Sequence, residues 1–117
     1  MFLPSSVKIF LASHFTDMRK SHHGLSSLVR QHFSEPLVSG HLFVFHNKRK
    51  NRTKILFYDR GGTVVYYKFL ERGRFKFPDL SESKGPIQLN SAQLNALLAG
   101  FDFSLLKDQR LWLPVAG

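Results

Sequence analysis

Over residues 7–12 the side chains alternate. Val7, Ile9 and Leu11 take one side, and Lys8, Phe10 and Ala12 the other. A period of two predicts a strand with one apolar face and one mixed face. The period then changes. Leu25, Leu28, Val29 and Phe33 fall at helical spacing, opposite Ser26, Ser27, Arg30 and Gln31, which predicts a helix over 21–33. Ser21 is its candidate N-cap, Gly24 weakens the first turn, and Pro36 disfavours a helical residue at Glu35. Thr16 and Asp17 belong to the connection before it, and Ser39-Gly40 turns the chain into the next element.

Short segments rich in β-branched and aromatic residues follow at 41–45, 54–59 and 64–70. Arg60-Gly61-Gly62-Thr63 predicts a tight hairpin, with the glycines supplying positive φ. Short links between successive strands favour an antiparallel meander. Glu71-Arg72-Gly73-Arg74 reads as a second turn. Phe75-Lys76-Phe77 reads as a short strand at an edge or an end, because Pro78 lacks a ladder donor. Residues 79–86 form a polar loop and 87–89 are extended. A second helix then has complete start signals. Asn90 and Gln93 make a capping box, and Leu89 and Leu94 have staple spacing. Leu94, Leu97, Leu98 and Phe101 give its apolar face, and Gly100 suits its C-terminal end.

The fold class expected from these elements is α+β. It is a single domain with an antiparallel meander sheet of about four to six strands and two helices packed on one face. Residues 1–6 are an N-terminal tail, 7–102 the domain and 103–117 a C-terminal tail. Leu105, Leu106, Leu111, Trp112 and Leu113 in that tail are available to the core or to a partner.

Composition narrows the function. The 117 residues suit one domain, and 43% hydrophobic with 14% aromatic content excludes a disordered chain. The net charge of +9 points to an anionic partner, either nucleic acid or an acidic membrane surface. A membrane surface calls for a basic amphipathic helix, and the two predicted helices carry little positive charge, so nucleic acid is favoured. No Cys is present, which excludes disulfides and thiolate chemistry. No apolar run reaches the roughly 18 residues of a transmembrane helix, and the first residues lack a signal-peptide pattern. A cytoplasmic protein without membrane attachment is expected.

The cations are concentrated. Five of the seven residues from Lys48 to Lys54 are basic, between two strand-like runs. Lys48, Arg49, Lys50, Arg52 and Lys54 are the candidate phosphate contacts of a hairpin loop. The plain alternative is a solvated loop. Arg72, Arg74 and Lys76 form a second basic group. It extends the charge if the sheet has an open face, with Tyr66 or Tyr67 nearby for base stacking. Arg19, Lys20 and Lys68 are additional candidates. Six His are present, but His22 and His23 are adjacent and the others lack ligand spacing. The eight carboxylates are scattered, so Asp17, Asp59 and Glu71 would have to converge by tertiary folding to hold catalytic metals. No P-loop, nucleophile elbow or dinucleotide turn occurs. A protein without metal, cofactor or catalytic residues is expected.

One set of motifs carries a family resemblance. Thr16-Asp17-Met18-Arg19-Lys20 precedes Gly24-Leu25 and Leu28-Val29. Leu42-Phe43-Val44-Phe45, Arg52-Thr53-Lys54-Ile55-Leu56, Tyr58-Asp59 and Leu70-Glu71-Arg72-Gly73-Arg74-Phe75 follow, with Gln93-Leu94, Leu97-Leu98 and Gly100 after them. Over residues 7–102 the chain resembles the TnpB-type accessory protein of bacterial insertion sequences that encode a separate DDE transposase. That protein is unrelated to the RNA-guided nuclease of the same name. Ser21, His23, Asn51, Tyr58 and Phe77 depart from the family's usual residues. His23 and Asn51 stand where it has acids, which makes this chain more basic.

The resemblance implies a mobile-element setting and transfers no catalytic residue. The expected function is a non-catalytic accessory protein for DNA transposition, binding DNA through the basic loop. The element's transposase or another accessory protein is a candidate partner. The alternatives are an adaptor for the transposase complex that uses exposed aromatics and Leu111-Trp112-Leu113, and an RNA-binding module.

Overall fold

Two unbroken apolar runs set the architecture of the computed structural model, which describes residues 6–100 and the strand Leu113–Pro114. β1 (Ile9–Leu11) and β2 (Leu42–His46) are buried along their whole lengths. They pair in parallel, Ile9 beside Leu42 and Leu11 beside Val44. A parallel pair needs a crossover, and α1 (His22–His32) supplies it. β3 (Arg52–Asp59) runs antiparallel to β2, and β4 (Gly62–Phe69) antiparallel to β3. These three strands are the predicted meander. β5 (Ile87–Leu89) closes on the other side of β1, and β6 (Leu113–Pro114) pairs with β5. The sheet order is β4-β3-β2-β1-β5-β6, mixed but mostly antiparallel. α2 (Ser91–Ala99) follows β5. The α+β single domain is therefore as expected.

The placement of the helices is not. Ile9, Leu11, Leu42, Val44 and Ile55 turn to one face, where Leu94 and Leu97 of α2 cover them. Phe10, Phe43, Phe45 and Leu56 turn to the other, under Leu25 and Val29 of α1. The two helices lie on opposite faces, not on one. The physical reason is the composition of the central strands. A strand apolar on both sides must be covered on both, so the Phe10 side of β1 is core and not a mixed, open surface.

Local signals explain the ends of the elements. The Asn90 side chain accepts from the Gln93 amide at 2.8 Å while Gln93 Oε1 accepts from the Asn90 amide at 2.7 Å, completing the capping box. Gly100 ends α2 with φ of 81°. Ser21 precedes α1 without a side-chain cap bond. In the β3–β4 hairpin the positive φ values belong to Arg60 and Gly61, at 47° and 89°, while Gly62 already pairs with Asp59. That is a two-residue turn of the primed type, which needs left-handed backbone at both positions. Phe75 to Phe77 is not a strand. Phe75 is a buried core residue of a wrapping segment, 1% exposed. The expectations for Phe101, Leu105, Leu106, Leu111 and Trp112 lie outside the described residues.

Candidate nucleic-acid interface

The basic loop leaves β2 at Asn47 and enters β3 at Arg52. Asn47 builds it. Its side-chain oxygen accepts from the amides of Asn51 and Arg52 at 3.1 and 3.0 Å, and its Nδ2 donates to Asn51 Oδ1 at 2.7 Å. The Lys50 amide donates to the Asn47 carbonyl at 3.1 Å, closing a turn. Lys50 sits in the left-handed region with φ of 61°, a conformation that favours Gly or Asn. Lys48, Arg49 and Lys50 all project into solvent.

The two basic groups of the sequence meet at this end. The Leu70 amide donates to the Asn51 carbonyl at 2.8 Å, and the Phe75 amide to the Lys50 carbonyl at 2.6 Å. These bonds fold residues 70–75 around the base of the loop. Phe75 is buried, so its neighbours Arg74 and Lys76 point outward, and Arg72 is exposed beside them. Arg72, Arg74 and Lys76 thus extend the charge along the wrapping segment. They do not lie across an open sheet face, because residues 70–80 follow β4 and belong to no strand.

Other candidates separate from this surface. Lys54 is 6% exposed, and its ammonium donates to the carbonyls of Met18 and Lys20 at 2.8 and 2.7 Å. It also lies over the Tyr67 ring, 4.6 Å from the centroid. A buried ammonium requires such partners, and here they tie residues 18–20 to β3. Lys54 is a fastening of the fold, not a phosphate contact as expected from sequence. Lys68 is half-buried and donates to the Leu98 carbonyl at 2.6 Å, holding the last turn of α2. Arg19 is exposed but paired with Asp17 at 2.7 Å. The Arg19 hydrogen bonds hold the Asp17 carboxyl well below its ordinary range, at about 2. Among the described residues this is the one ion pair, so the cations of the loop and wrapping segment carry no described carboxylate partner. Lys20 is exposed.

Aromatic residues border the charge. Arg52 donates to the Tyr67 hydroxyl, and its guanidinium lies 4.3 Å from the Phe69 centroid. Lys48 lies 5.8 Å from the centroid of Phe15. Tyr66 packs against the α2-side core, whereas Tyr67 is 45% and Phe69 50% exposed. Phe69 escaped the sequence reading, although its spacing two residues from Tyr67 puts both on one face. A groove of about 430 Å³ opens beside the loop, lined in part by His14, Phe15, Lys48, Lys50, Phe77 and Asp79. At its base His46 is buried against Phe77, with Nε2 donating to the Ala12 carbonyl at 2.8 Å. Burial pushes the His46 pKa down, so the neutral ring is favoured. Among the described residues no three His, Asp or Glu side chains come together to hold a metal ion. No described helix is long and apolar enough to cross a membrane.

Residues 7–108 match the family model described as IS66 Orf2 like protein. The chain belongs to the IS66 Orf2-like family. Two relatives come from Sinorhizobium fredii (strain NBRC 101917 / NGR234). Uncharacterized protein y4hO is 34% identical over 114 residues, covering 96% of each chain. Uncharacterized protein y4jC is 30% identical over 108 residues, covering 92% of this chain and 91% of the relative. No solved structure matches the chain. The match to the IS66 Orf2-like family encloses β1 to α2, and with them every candidate contact named above.

Proposed function

We propose that the protein is a non-catalytic accessory factor of DNA transposition, acting in the cytoplasm on the element's own DNA. Lys48, Arg49, Lys50 and Arg52 contact phosphates, and Arg72, Arg74 and Lys76 extend the contact. Membership of the IS66 Orf2-like family supports the setting. The observation that carries the DNA contact is the pair of backbone bonds joining Leu70 to Asn51 and Phe75 to Lys50. They draw two basic segments, distant in sequence, into one cationic end. The left-handed position of Lys50 adds support, because a charged residue stands there at a backbone conformation that favours Gly or Asn.

The test is fluorescence anisotropy with element-end and scrambled duplexes across a salt series. Seven phosphate contacts give a log-log slope of about −6, and a Lys48→Ser, Arg49→Ser, Lys50→Ser variant brings it to about −4. A slope near zero, or one unchanged in the variant, refutes the reading. Preference for the element end marks a site reader.

A second reading is an adaptor that grips the transposase. It is favoured by β4, an eight-residue strand at the edge of the sheet with Val64 exposed, and by the exposed Val38. Salt-resistant co-purification with the transposase from nuclease-treated extract supports it, and loss of the complex on nuclease treatment removes it.

A further inference from the structure

We infer that the α1-side edge of the sheet is a stacking platform for unpaired DNA bases, formed by Tyr67 and Phe69 on β4. This deepens the DNA-binding reading above and rests on it.

The strand register makes the platform. Phe69 pairs across strands with Arg52, and Tyr67 with Lys54. Each ring therefore has a cation on the β3 side, 4.3 Å from the Phe69 centroid and 4.6 Å from the Tyr67 centroid. β4 is the outermost strand, so the opposite side of each ring turns away from the sheet, consistent with exposures of 45% and 50%. Arg52 also donates to the Tyr67 hydroxyl, which fixes both rings to one guanidinium. Rings held in this way lose little freedom on stacking. Ordinary core packing does not account for them, since half of each lies in water.

The geometry selects the strand form. Positions two apart on a strand are separated by ~7 Å. Bases in a duplex lie 3.4 Å apart along each strand and already cover one another's faces. Two rings at twice that spacing cannot both reach bases within an intact stack. They can each take one base of an extended single strand. The cations of the adjoining loop begin at Arg52 and continue through Lys50, Arg49 and Lys48, a path for the strand's phosphates. Stacked aromatics beside a cationic track are the recurring means of holding single-stranded nucleic acid.

The experiment measures anisotropy of a short labelled oligothymidylate and of a duplex of equal length. The variants are Tyr67→Leu, Phe69→Leu and Tyr67→Phe, all at one salt concentration, with thermal melts to confirm folding. Leucine keeps the apolar cover of the strand and removes the π face. Each leucine variant is expected to weaken single-strand binding by about fivefold to about 150-fold and to leave duplex binding unchanged. Tyr67→Phe retains single-strand binding. Equal losses on both DNA forms, or no loss on the single strand, overturn the platform. Binding of the duplex without the single strand also overturns it while leaving the DNA-binding reading intact. Binding of neither form at low salt overturns both. Tighter, ring-dependent binding of an oligouridylate reassigns the platform to RNA and overturns the DNA assignment.

Discussion

Replacing Lys50 separates folding from binding. Its backbone is left-handed, with φ of 61°. That conformation costs an L-residue about 1–2 kcal/mol, and glycine adopts it freely. Glycine also widens the unfolded ensemble, which returns about 0.5–1 kcal/mol. The hydrogen bonds of Lys50 to Asn47 and Phe75 use only its backbone and survive the change. Lys50→Gly is therefore expected to stabilise the domain by about 0.5–1 kcal/mol, raising Tm by about 2–4 °C. It also removes one cation from the loop, so the log-log salt slope for duplex DNA becomes shallower by about 0.9. Lys50→Ala is the control. It removes the same charge but keeps the β-carbon, so the slope changes alike and the melting point does not rise. Calorimetry and anisotropy on the three proteins read both effects. A glycine variant that melts no higher than the alanine variant refutes the strain argument. An unchanged slope refutes the phosphate contact at Lys50.

Three further outcomes are expected. Lys54→Met removes two charge-assisted bonds to the Met18 and Lys20 carbonyls and lowers stability by about 1–3 kcal/mol in urea titrations, with the native-state salt slope unchanged. Asn90→Ala loses the capping box of α2 and about 1 kcal/mol in the same titration, without effect on DNA binding. Burial holds the His46 pKa below 6.5, so the unfolded chain takes up that proton before the native one does. Stability then falls as pH drops below 6.5 until the lowered native pKa is passed, and His46→Gln flattens that part of a stability–pH curve.

The meander, the helix signals and the basic loop were legible in the sequence because each is a local pattern. Asn90 and Gln93 are three residues apart, and the loop cations are contiguous. What failed depended on neighbours far along the chain. Lys54 reads as one more loop cation until residues 18–20 close over it. Lys68 reads as a surface charge until the end of α2 arrives beside it. Phe69 carries no local sign of exposure, and only the place of β4 at the edge of the sheet leaves its ring half in water. His46 falls between the predicted strand at 41–45 and the basic loop, yet it is buried where residues 12–16 cross it. The opposed helices were also encoded, in the double apolar character of β1 and β2, but Lys8 beside Phe10 and Ala12 gives the second side of β1 a mixed look in the sequence.

The place of β5 in the sheet bears on how the chain assembles. β2, β3 and β4 join sequence neighbours through short turns, so they can form early. β1 has been synthesised before them but stays half-paired until Leu89 comes to lie beside Ile9. A chain cut short before Ile87 would leave β1 as an open sheet edge and Ile9, Leu42, Val44 and Ile55 without the cover of α2. Truncation there should give aggregates instead of a smaller folded unit, even though the whole cationic loop has by then been made.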